Sequence, residues 1–225
     1  MNKTINSEPI KNKYYGHLWY ALILPAYLIA FFIVERVISP DRPNMFLSHI
    51  SFDDFIPFWD FMVTFYILWF PMLFVIGLYL IFRDALGFKR YMTFIGISFF
   101  SMIVICLLFP NYQDMRPLNL GESRSVFSYI LNRFIYGNDT PTNVLPSVHV
   151  LGCFAVSFGV IYSEDLRKKK WLVILTVLLG ILVSISTVFV KQHSVLDILA
   201  ALPIAAICWL IVYVFMFGKT KKQLR

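Results

Sequence analysis

The chain has 225 residues, of which 59% are hydrophobic and 15% are charged, and its formal net charge is +7 at pH 7. The charged fraction is well below the roughly 25% of soluble domains, which excludes an ordinary soluble domain and indicates a polytopic membrane protein. The basic residues form short runs between apolar segments, a pattern that indicates membrane topology and argues against nucleic acid as a partner.

Six apolar segments are long enough, or nearly so, to cross a bilayer, which requires about 20 residues. The predicted spans are 17–38, 60–82, 91–109, 147–162, 171–190 and 195–217. The prediction is therefore an all-α, six-transmembrane-helix bundle that forms a single integral membrane domain over residues 1–225. The first span is too long for the core of a cleavable signal peptide. Cys106, Cys153 and Cys208 lie singly in apolar runs, so we expect core residues and neither a disulfide nor a metal site.

Lysine and arginine are concentrated in alternate connections between the spans. One side of the membrane receives the N-terminal tail, loops 83–90 and 163–170, and the C-terminal tail, which together hold most of the basic residues. The other side holds scattered ones: Arg36, Arg42, Arg116, Arg124, Arg133 and Lys191. By the positive-inside rule, we predict a protein of the cell membrane with both termini in the cytoplasm.

The two longer connections then lie outside the cell. The first, 39–59, mixes polar residues with many aromatic ones, and we expect it to lie in the membrane interface. The second, 110–146, contains apolar residues every four positions, which predicts an interfacial amphipathic helix over 123–136 that Gly137 can end. Packing against the spans and a role as a lid are about equally compatible with this helix.

Three polar clusters fall on the predicted outer side, at 112–117, 146–149 and 191–197. Ionisable groups at membrane depth are expensive and are functional candidates by default. His193 and Asp197 are four residues apart and share a helix face, so the carboxylate can hold Nδ1–H and leave Nε2 as a nucleophile. Alternatively, Asp197 belongs to a capping box with Ser194.

The second cluster places His149 at the start of a span, after the predicted N-cap residue Ser147. Free N–H groups at Val148 and beyond form a natural anion site, and a histidine there can protonate a leaving oxygen. A lone interfacial histidine bonded to a loop is the alternative. Arg116 offers a planar fork for phosphate and Lys191 a second cation, although either one alone is more often an interfacial anchor.

Together these residues suggest a site for phosphoryl transfer that needs neither a metal nor another cofactor, because cations and helix N–H groups can balance the phosphate charge. The motifs resemble those of the type-2 phosphatidic acid phosphatase superfamily, whose pattern is KxxxxxxRP, PSGH and SRxxxxxHxxxD. The corresponding elements are Arg116-Pro117, then Pro146-Ser147-Val148-His149, then Ser186-Thr187 with His193 and Asp197.

The resemblance implies a role for each matched residue. His193 would form a phosphohistidine, Asp197 would orient it and His149 would protonate the leaving alcohol. Arg116 and Ser147 would bind phosphate oxygens, and Tyr112, Thr187 and Gln192 are candidate supporting residues. The family lysine falls at Phe109, the glycine at Val148 and the arginine at Thr187, and Lys191 is a candidate replacement for one lost cation. The arrangement of Lys191, Gln192 and His193 with Asp197 is similar to that of the branch that includes inositol-phosphorylceramide and sphingomyelin synthases.

The sequence thus predicts a lipid phosphatase that acts on a lipid phosphate or pyrophosphate through a phosphohistidine at the outer face. The alternative within the class is a phosphotransferase that passes the phosphoryl or phospho-head group to an alcohol. A non-catalytic lipid-binding or transport relic of the fold is the third alternative. The sequence leaves the lipid, the acceptor and the oligomeric state open.

Overall fold

The computed structural model describes residues 16–120 and 125–218. This part of the chain is mostly helical, as predicted, and contains these α-helices: α1 (Ile23–Val37), α2 (Val63–Ile67), α3 (Trp69–Arg83), α4 (Ala85–Leu108), α5 (Val126–Ile130), α6 (Val148–Tyr162), α7 (Lys170–Phe189) and α8 (Val195–Trp209).

Several helices are extended by turns of other helical types. The 3-10 turns Leu18–Leu22 and Asp60–Met62 lead into α1 and α2, while π-helical turns Leu131–Tyr136 and Leu210–Met216 continue α5 and α8. Two further 3-10 turns lie in loops, Ser51–Phe55 and Leu166–Lys168.

Two short strands, which the sequence pattern did not predict, join the two predicted outer connections. Strand β1 (Phe46–Leu47) pairs in parallel with β2 (Asn111–Tyr112), with Phe46 opposite Asn111 and Leu47 opposite Tyr112. Ser48 N then donates to Tyr112 O at 2.9 Å, and Gln113 N donates to Pro141 O at 2.9 Å. The pairing therefore holds the first connection beside the polar cluster that contains Arg116.

Five helical runs in the described residues are long and apolar enough to cross a membrane: Leu18–Val37, Asp60–Arg83, Ala85–Leu108, Lys170–Phe189 and Val195–Met216. The sixth predicted span, 147–162, corresponds to α6, an apolar helix of 15 residues that falls short of the usual spanning length. Membrane crossing by α6 therefore stays a prediction.

Helix α6 lies at the centre of the bundle and packs against α3, α4, α7 and α8. Most of its residues are buried, and small ones permit close approach. A Cβ atom added to Gly152 would lie 2.4 Å from Trp69 Nε1, so the absence of a side chain there lets α3 pack directly on α6. The same indole nitrogen donates to His149 O at 3.0 Å, which fixes the first turn of α6.

Two predicted boundaries require correction. The loop predicted over 83–90, before a span at 91–109, is mostly the first turns of α4, and only Asp84 separates α3 from α4. The Asp84 carboxylate accepts from Gly87 N at 2.7 Å, an N-cap that starts α4 early despite the basic residues.

In the predicted helix 123–136, residues 123 and 124 lie outside the described residues, Ser125 is the N-cap and helical turns run from Val126 to Tyr136. Gly137 follows the last turn with φ of −73°, so it ends the helix without the left-handed conformation that glycine often supplies. An interfacial position for this helix stays a prediction.

Candidate active site

His193 and Asp197 form the hydrogen bond that their spacing predicted. His193 Nδ1 lies 3.1 Å from Asp197 Oδ2, and the two side chains are almost completely buried. The same carboxylate oxygen accepts from Ser194 N at 2.9 Å and completes a capping box at the start of α8. The two alternatives for Asp197 therefore coexist, since one carboxylate both caps the helix and holds the imidazole.

The two histidines are in direct contact. His149 Nδ1 lies 3.2 Å from His193 Nε2, although the residues are 44 positions apart. Because Asp197 requires a proton on His193 Nδ1, Nε2 of His193 is the acceptor and His149 Nδ1 carries the other proton. The tautomers therefore form a directed chain from His149 through His193 to Asp197, with the lone pair of His193 Nε2 facing His149.

An aromatic wall holds the His149 ring. Tyr66 and Trp69 lie with ring centroids 4.5 and 4.7 Å from it. The wall is built by α2 and α3, and Trp69 contacts both the His149 ring and, through its indole N–H, the His149 carbonyl. His149 is thus more constrained than the loop-bonded interfacial histidine that was the alternative.

Ser147 stands at the N-cap position of α6, as predicted, but its hydroxyl makes no capping hydrogen bond. Its Oγ is buried and has no hydrogen-bond partner among the residues that the structure describes. Ser147 N donates to Asp197 O at 3.1 Å and ties the start of α6 to the start of α8. Val148 is the first residue of α6, so its N–H belongs to the turn whose donors precede the helical ladder.

Arg116 is bound in the second outer connection. Its guanidinium donates to Asp139 O at 2.9 Å and to Thr140 O at 3.0 Å, and to Gln192 Oε1 at 2.9 Å. It also lies 4.4 Å from the centroid of the Tyr136 ring. Burial lowers the pKa of Arg116, but the guanidinium remains charged. Gln192, the residue before His193, therefore links Arg116 to the turn that contains His193.

Two acidic side chains that the sequence did not single out lie beside this link. Gln192 Nε2 donates to Asp139 Oδ2, and burial together with the nearby charge of Glu35 raises the pKa of Asp139 to about 6. Glu35, from α1, accepts hydrogen bonds from Thr140 and from Asn143 Nδ2. Two acidic side chains therefore lie near Arg116, which the sequence predicted to bind phosphate.

Lys191 has different partners from those expected of a phosphate ligand. Its Nζ donates to Asp53 O at 2.9 Å and to Ile56 O at 2.6 Å, both in the first outer connection. Burial lowers the pKa of Lys191, against the opposing effect of the Asp53 and Asp54 carboxylates. Its backbone is left-handed, with φ of 52°, at the turn where Gln192 N and His193 N both donate to Thr187 O.

The Asp53 carboxylate is the second contact between this connection and α8. It is 1% exposed and accepts from Ser194 Oγ at 2.6 Å, Val195 N at 2.9 Å and Ile50 N at 3.0 Å. Two of these donors, Ser194 Oγ and Val195 N, belong to the start of α8 and lie within two residues of His193. The first outer connection is thus fastened to the residue that follows the candidate nucleophile.

The remaining predicted site residues take peripheral positions. Thr187 is fully buried, with its hydroxyl bonded to Ser184 O at 2.8 Å and its carbonyl supporting the His193 turn. Tyr112 belongs to β2 and contributes through its backbone. At the family lysine position, Phe109 packs on Phe46 with centroids 5.0 Å apart and is half-exposed.

Sequence analysis missed Asp53, Asp139, Gln113 and Glu35. Glu35 carried a signal, because it is a carboxylate near the end of an apolar span. Gln113 lay within a predicted polar cluster, and its Nε2 donates to Lys191 O at 3.0 Å. No sequence pattern near Asp53 or Asp139 indicated a role, since each carboxylate accepts a hydrogen bond from a side chain more than 50 residues away.

The arrangement supports nucleophilic chemistry at His193 Nε2. A phosphorus atom that approaches this nitrogen must displace His149 Nδ1, which leaves that donor next to the incoming phosphate oxygens. The Ser147 hydroxyl, which has no hydrogen-bond partner in residues 16–120 and 125–218, and the N–H groups that start α6 belong to the same end of the bundle. The described residues therefore place a nucleophile, an orienting carboxylate and a proton donor in sequence.

The family comparison agrees with this geometry. The model of the PAP2 superfamily matches residues 90–221, more than half of the chain, and this range includes Arg116, His149, His193 and Asp197. Neither a curated protein nor a solved structure matches the chain. The chain therefore belongs to the PAP2 superfamily, whose members are phosphatases or phosphotransferases, and is an integral membrane protein.

Proposed function

We propose that this protein is a lipid phosphatase that removes the phosphate of a membrane lipid through a phosphohistidine on His193. The observation that carries the proposal is the chain of hydrogen bonds from His149 Nδ1 to His193 Nε2 and from His193 Nδ1 to Asp197 Oδ2. This chain orients the His193 imidazole so that the unprotonated nitrogen, Nε2, faces the Nδ1–H donor of His149.

In the first step, His193 Nε2 attacks phosphorus and the bond to the lipid oxygen breaks. His149 takes up a second proton when the phosphate dianion binds beside it, then gives its Nδ1 proton to the departing oxygen and becomes neutral again. Asp197 stabilises the positive charge on the phosphorylated His193 ring. Arg116, Ser147 and the Val148 N–H bind the phosphate oxygens in this proposal.

In the second step, neutral His149 accepts a proton from the acceptor, whose oxygen attacks phosphorus and breaks the P–N bond. With water the product is inorganic phosphate, and with an alcohol it is a new phosphate ester. The departures at Phe109 and Thr187 count against plain hydrolysis of a phosphatidate. The arrangement of Lys191, Gln192 and His193 with Asp197 resembles that of the phosphotransferase branch, so an alcohol is the alternative acceptor. The protein is then a phosphotransferase with the same first step.

The test uses purified protein in detergent with a panel of lipid phosphates and pyrophosphates, with and without an added lipid alcohol. We expect free phosphate from wild type and none from His193→Ala. Phosphorylated alcohol in place of free phosphate would identify the phosphotransferase. Neither product, with lipid binding unchanged by His193→Ala, would support the non-catalytic alternative.

We also propose that the site faces the outside of the cell and that both termini are cytoplasmic. The basic residue distribution supports this orientation. Asn138 lies on the site side of the bundle and Lys169 at the opposite end, so Asn138→Cys and Lys169→Cys form a matched pair. A membrane-impermeant thiol reagent should label the first variant in intact cells and the second only after permeabilisation. The reverse pattern would overturn the orientation.

A further inference from the structure

An apolar groove of about 380 Å³ lies between α6, α7 and α8, on the membrane-facing side of the bundle. Its lining includes Val150, Phe154, Ile161, Ile181, Ile185 and Ile198. Two serines are the polar lining residues, and the hydroxyl of one of them, Ser184, is bonded to Gly180 O at 2.7 Å. Among the described residues that line the groove, none is charged.

One end of this groove adjoins the candidate active site on all three helices. Val150 follows His149 on α6, and Ile198 follows Asp197 on α8. On α7, Ile185 lies two residues before Thr187, whose carbonyl accepts from His193 N at 3.1 Å. The groove therefore begins where the phosphate is proposed to bind.

The groove extends into the membrane over a distance that fits one leaflet. From Val150 to Ile161, at about 1.5 Å per helical residue, it follows α6 for roughly 16 Å. This is close to half of the hydrocarbon thickness of about 30 Å. A lipid whose phosphate lies at His193 would have its hydrocarbon chain alongside this stretch.

We infer that the groove between α6, α7 and α8 binds a hydrocarbon chain of the phosphate-bearing lipid substrate. The inference rests on the proposed function and adds the part of the substrate that the histidines do not contact. It makes the protein selective for long-chain phosphate monoesters, because a long chain fills the groove while a short chain occupies only its start.

A second apolar groove, of about 520 Å³ between α4 and α8, provides an internal control. It is lined by residues such as Ser101, Val104, Ile204 and Ile207, and its first α8 residue lies seven positions beyond Asp197. It has the same apolar character, but none of its lining residues is next to His149, His193 or Asp197 in the sequence, so it should hold bulk lipid without selectivity.

The first test compares Ile181→Trp with Ile207→Trp. The two isoleucines line different grooves and are 53% and 56% exposed, so the substitutions are closely matched. The measured quantity is the ratio of kcat/KM for hexadecyl phosphate to that for butyl phosphate. We expect Ile181→Trp to lower this ratio roughly tenfold, as overpacking does, and Ile207→Trp to leave it near the wild-type value. An unchanged ratio in Ile181→Trp, or equal decreases in both variants, overturns the inference.

The second test does not depend on turnover or on either variant. Wild-type protein is irradiated with a hexadecylphosphonate that carries a photoreactive diazirine in its chain, and labelled peptides are identified by mass spectrometry. We expect labelling along α6 and α7 that unlabelled hexadecylphosphonate suppresses. Equal labelling of both grooves, or labelling without competition, shows only bulk lipid contact and overturns the inference even if phosphate is released. Competed labelling without turnover supports the groove and counts against the proposed function alone.

Discussion

The two histidines and the two cations of the site are held in different ways. His149 and His193 are held by helix ends, by each other and by a helix-capping carboxylate. Arg116 and Lys191 are bound mainly to backbone carbonyls of the outer connections. The candidate catalytic groups therefore depend on the helical bundle, whereas the positions of the two cations depend on how the loops fold over it. Substitutions of the histidines and of the cations should therefore have different effects on activity and stability.

The largest expected effect comes from separating the two histidines. His193→Ala should abolish turnover of every substrate, because it removes the nitrogen atom that we propose attacks phosphorus. His149→Ala should lower turnover of a lipid monoester by about 10²–10⁴, the usual contribution of a general acid. It should affect an activated aryl phosphate less, because a good leaving group needs little protonation.

The measurements are steady-state rates with both substrates and trapping of labelled enzyme under alkaline quench. An acid-labile adduct should form on His193 and accumulate in His149→Ala. His17→Ala is the control, since His17 bonds to Ile81 O away from the site. Full activity in His193→Ala would remove the phosphohistidine from the mechanism, and complete equal loss in both variants would contradict their unequal roles.

The two cations provide the next contrast. Arg116 is joined to the His193 turn through Gln192, and its buried Nε has no hydrogen-bond partner in the described part of the chain. We expect Arg116→Met to lower kcat/KM for a phosphate monoester by about 10- to 150-fold, equivalent to one lost charge-assisted contact of roughly 1.5–3 kcal/mol.

Lys191→Met should instead lower kcat/KM by less than about tenfold, because the structure gives its ammonium two carbonyl partners in the first outer connection. The variant should show its main effect as a lower thermal unfolding temperature. Equal losses of kcat/KM in the Lys191 and Arg116 variants would contradict this expectation and show that Lys191 binds the phosphate, as the sequence predicted.

The sequence predicted the relative positions of His149, His193 and Asp197. Helical spacing of four residues placed Asp197 under His193, and the ends of two apolar segments placed His149 at the same side of the bundle. Such relations follow from helix geometry and from the need of apolar segments to avoid water, which both act locally.

The partners of Arg116 and Lys191 could not be predicted, because they are loop residues that lie far away in the sequence. Lys191 reaches carbonyls 135 and 138 residues away, and Asp53 reaches Ser194 across 141 residues. Nothing in a basic side chain indicates whether it will bind a phosphate or a backbone carbonyl, and two-residue strands such as β1 and β2 have too little pattern to detect.

A smaller effect is expected at Asp53, where a loop carboxylate supports the start of α8, directly after the candidate nucleophile His193. Asp53→Ala leaves Ser194 Oγ and Val195 N without their acceptor, which should destabilise the protein by about 1.5–3 kcal/mol. Thermal unfolding in detergent measures this loss. Asp41→Ala, at an exposed residue of the same connection, is the control. An unchanged unfolding temperature in Asp53→Ala would show that the loop contributes nothing to α8.

The smallest expected effect concerns His49, which joins the two outer connections. Its Nε2 lies 2.8 Å from Asp54 Oδ1, and its Nδ1 lies 2.9 Å from Asp114 Oδ1. Partial burial lowers the pKa of His49, but the hydrogen bonds and charges of both aspartates outweigh it, so the pKa lies above its usual value. His49 therefore links the first outer connection, whose carbonyls bind Lys191, to the second outer connection, which contains Arg116.

A histidine whose pKa is raised by folding stabilises the folded state fully below its unfolded pKa, and this contribution is lost as pH rises through the folded pKa. Because both aspartates are more than half exposed, we expect only about 0.2–1 kcal/mol. The unfolding temperature of His49→Gln should therefore fall below that of wild type at acidic pH, and the two should converge as pH rises above the usual histidine range. A difference that grows with pH would contradict this sign.

High salt should reduce the difference, since exposed ion pairs are screened, whereas the His149–His193 contact inside the bundle should be insensitive to salt.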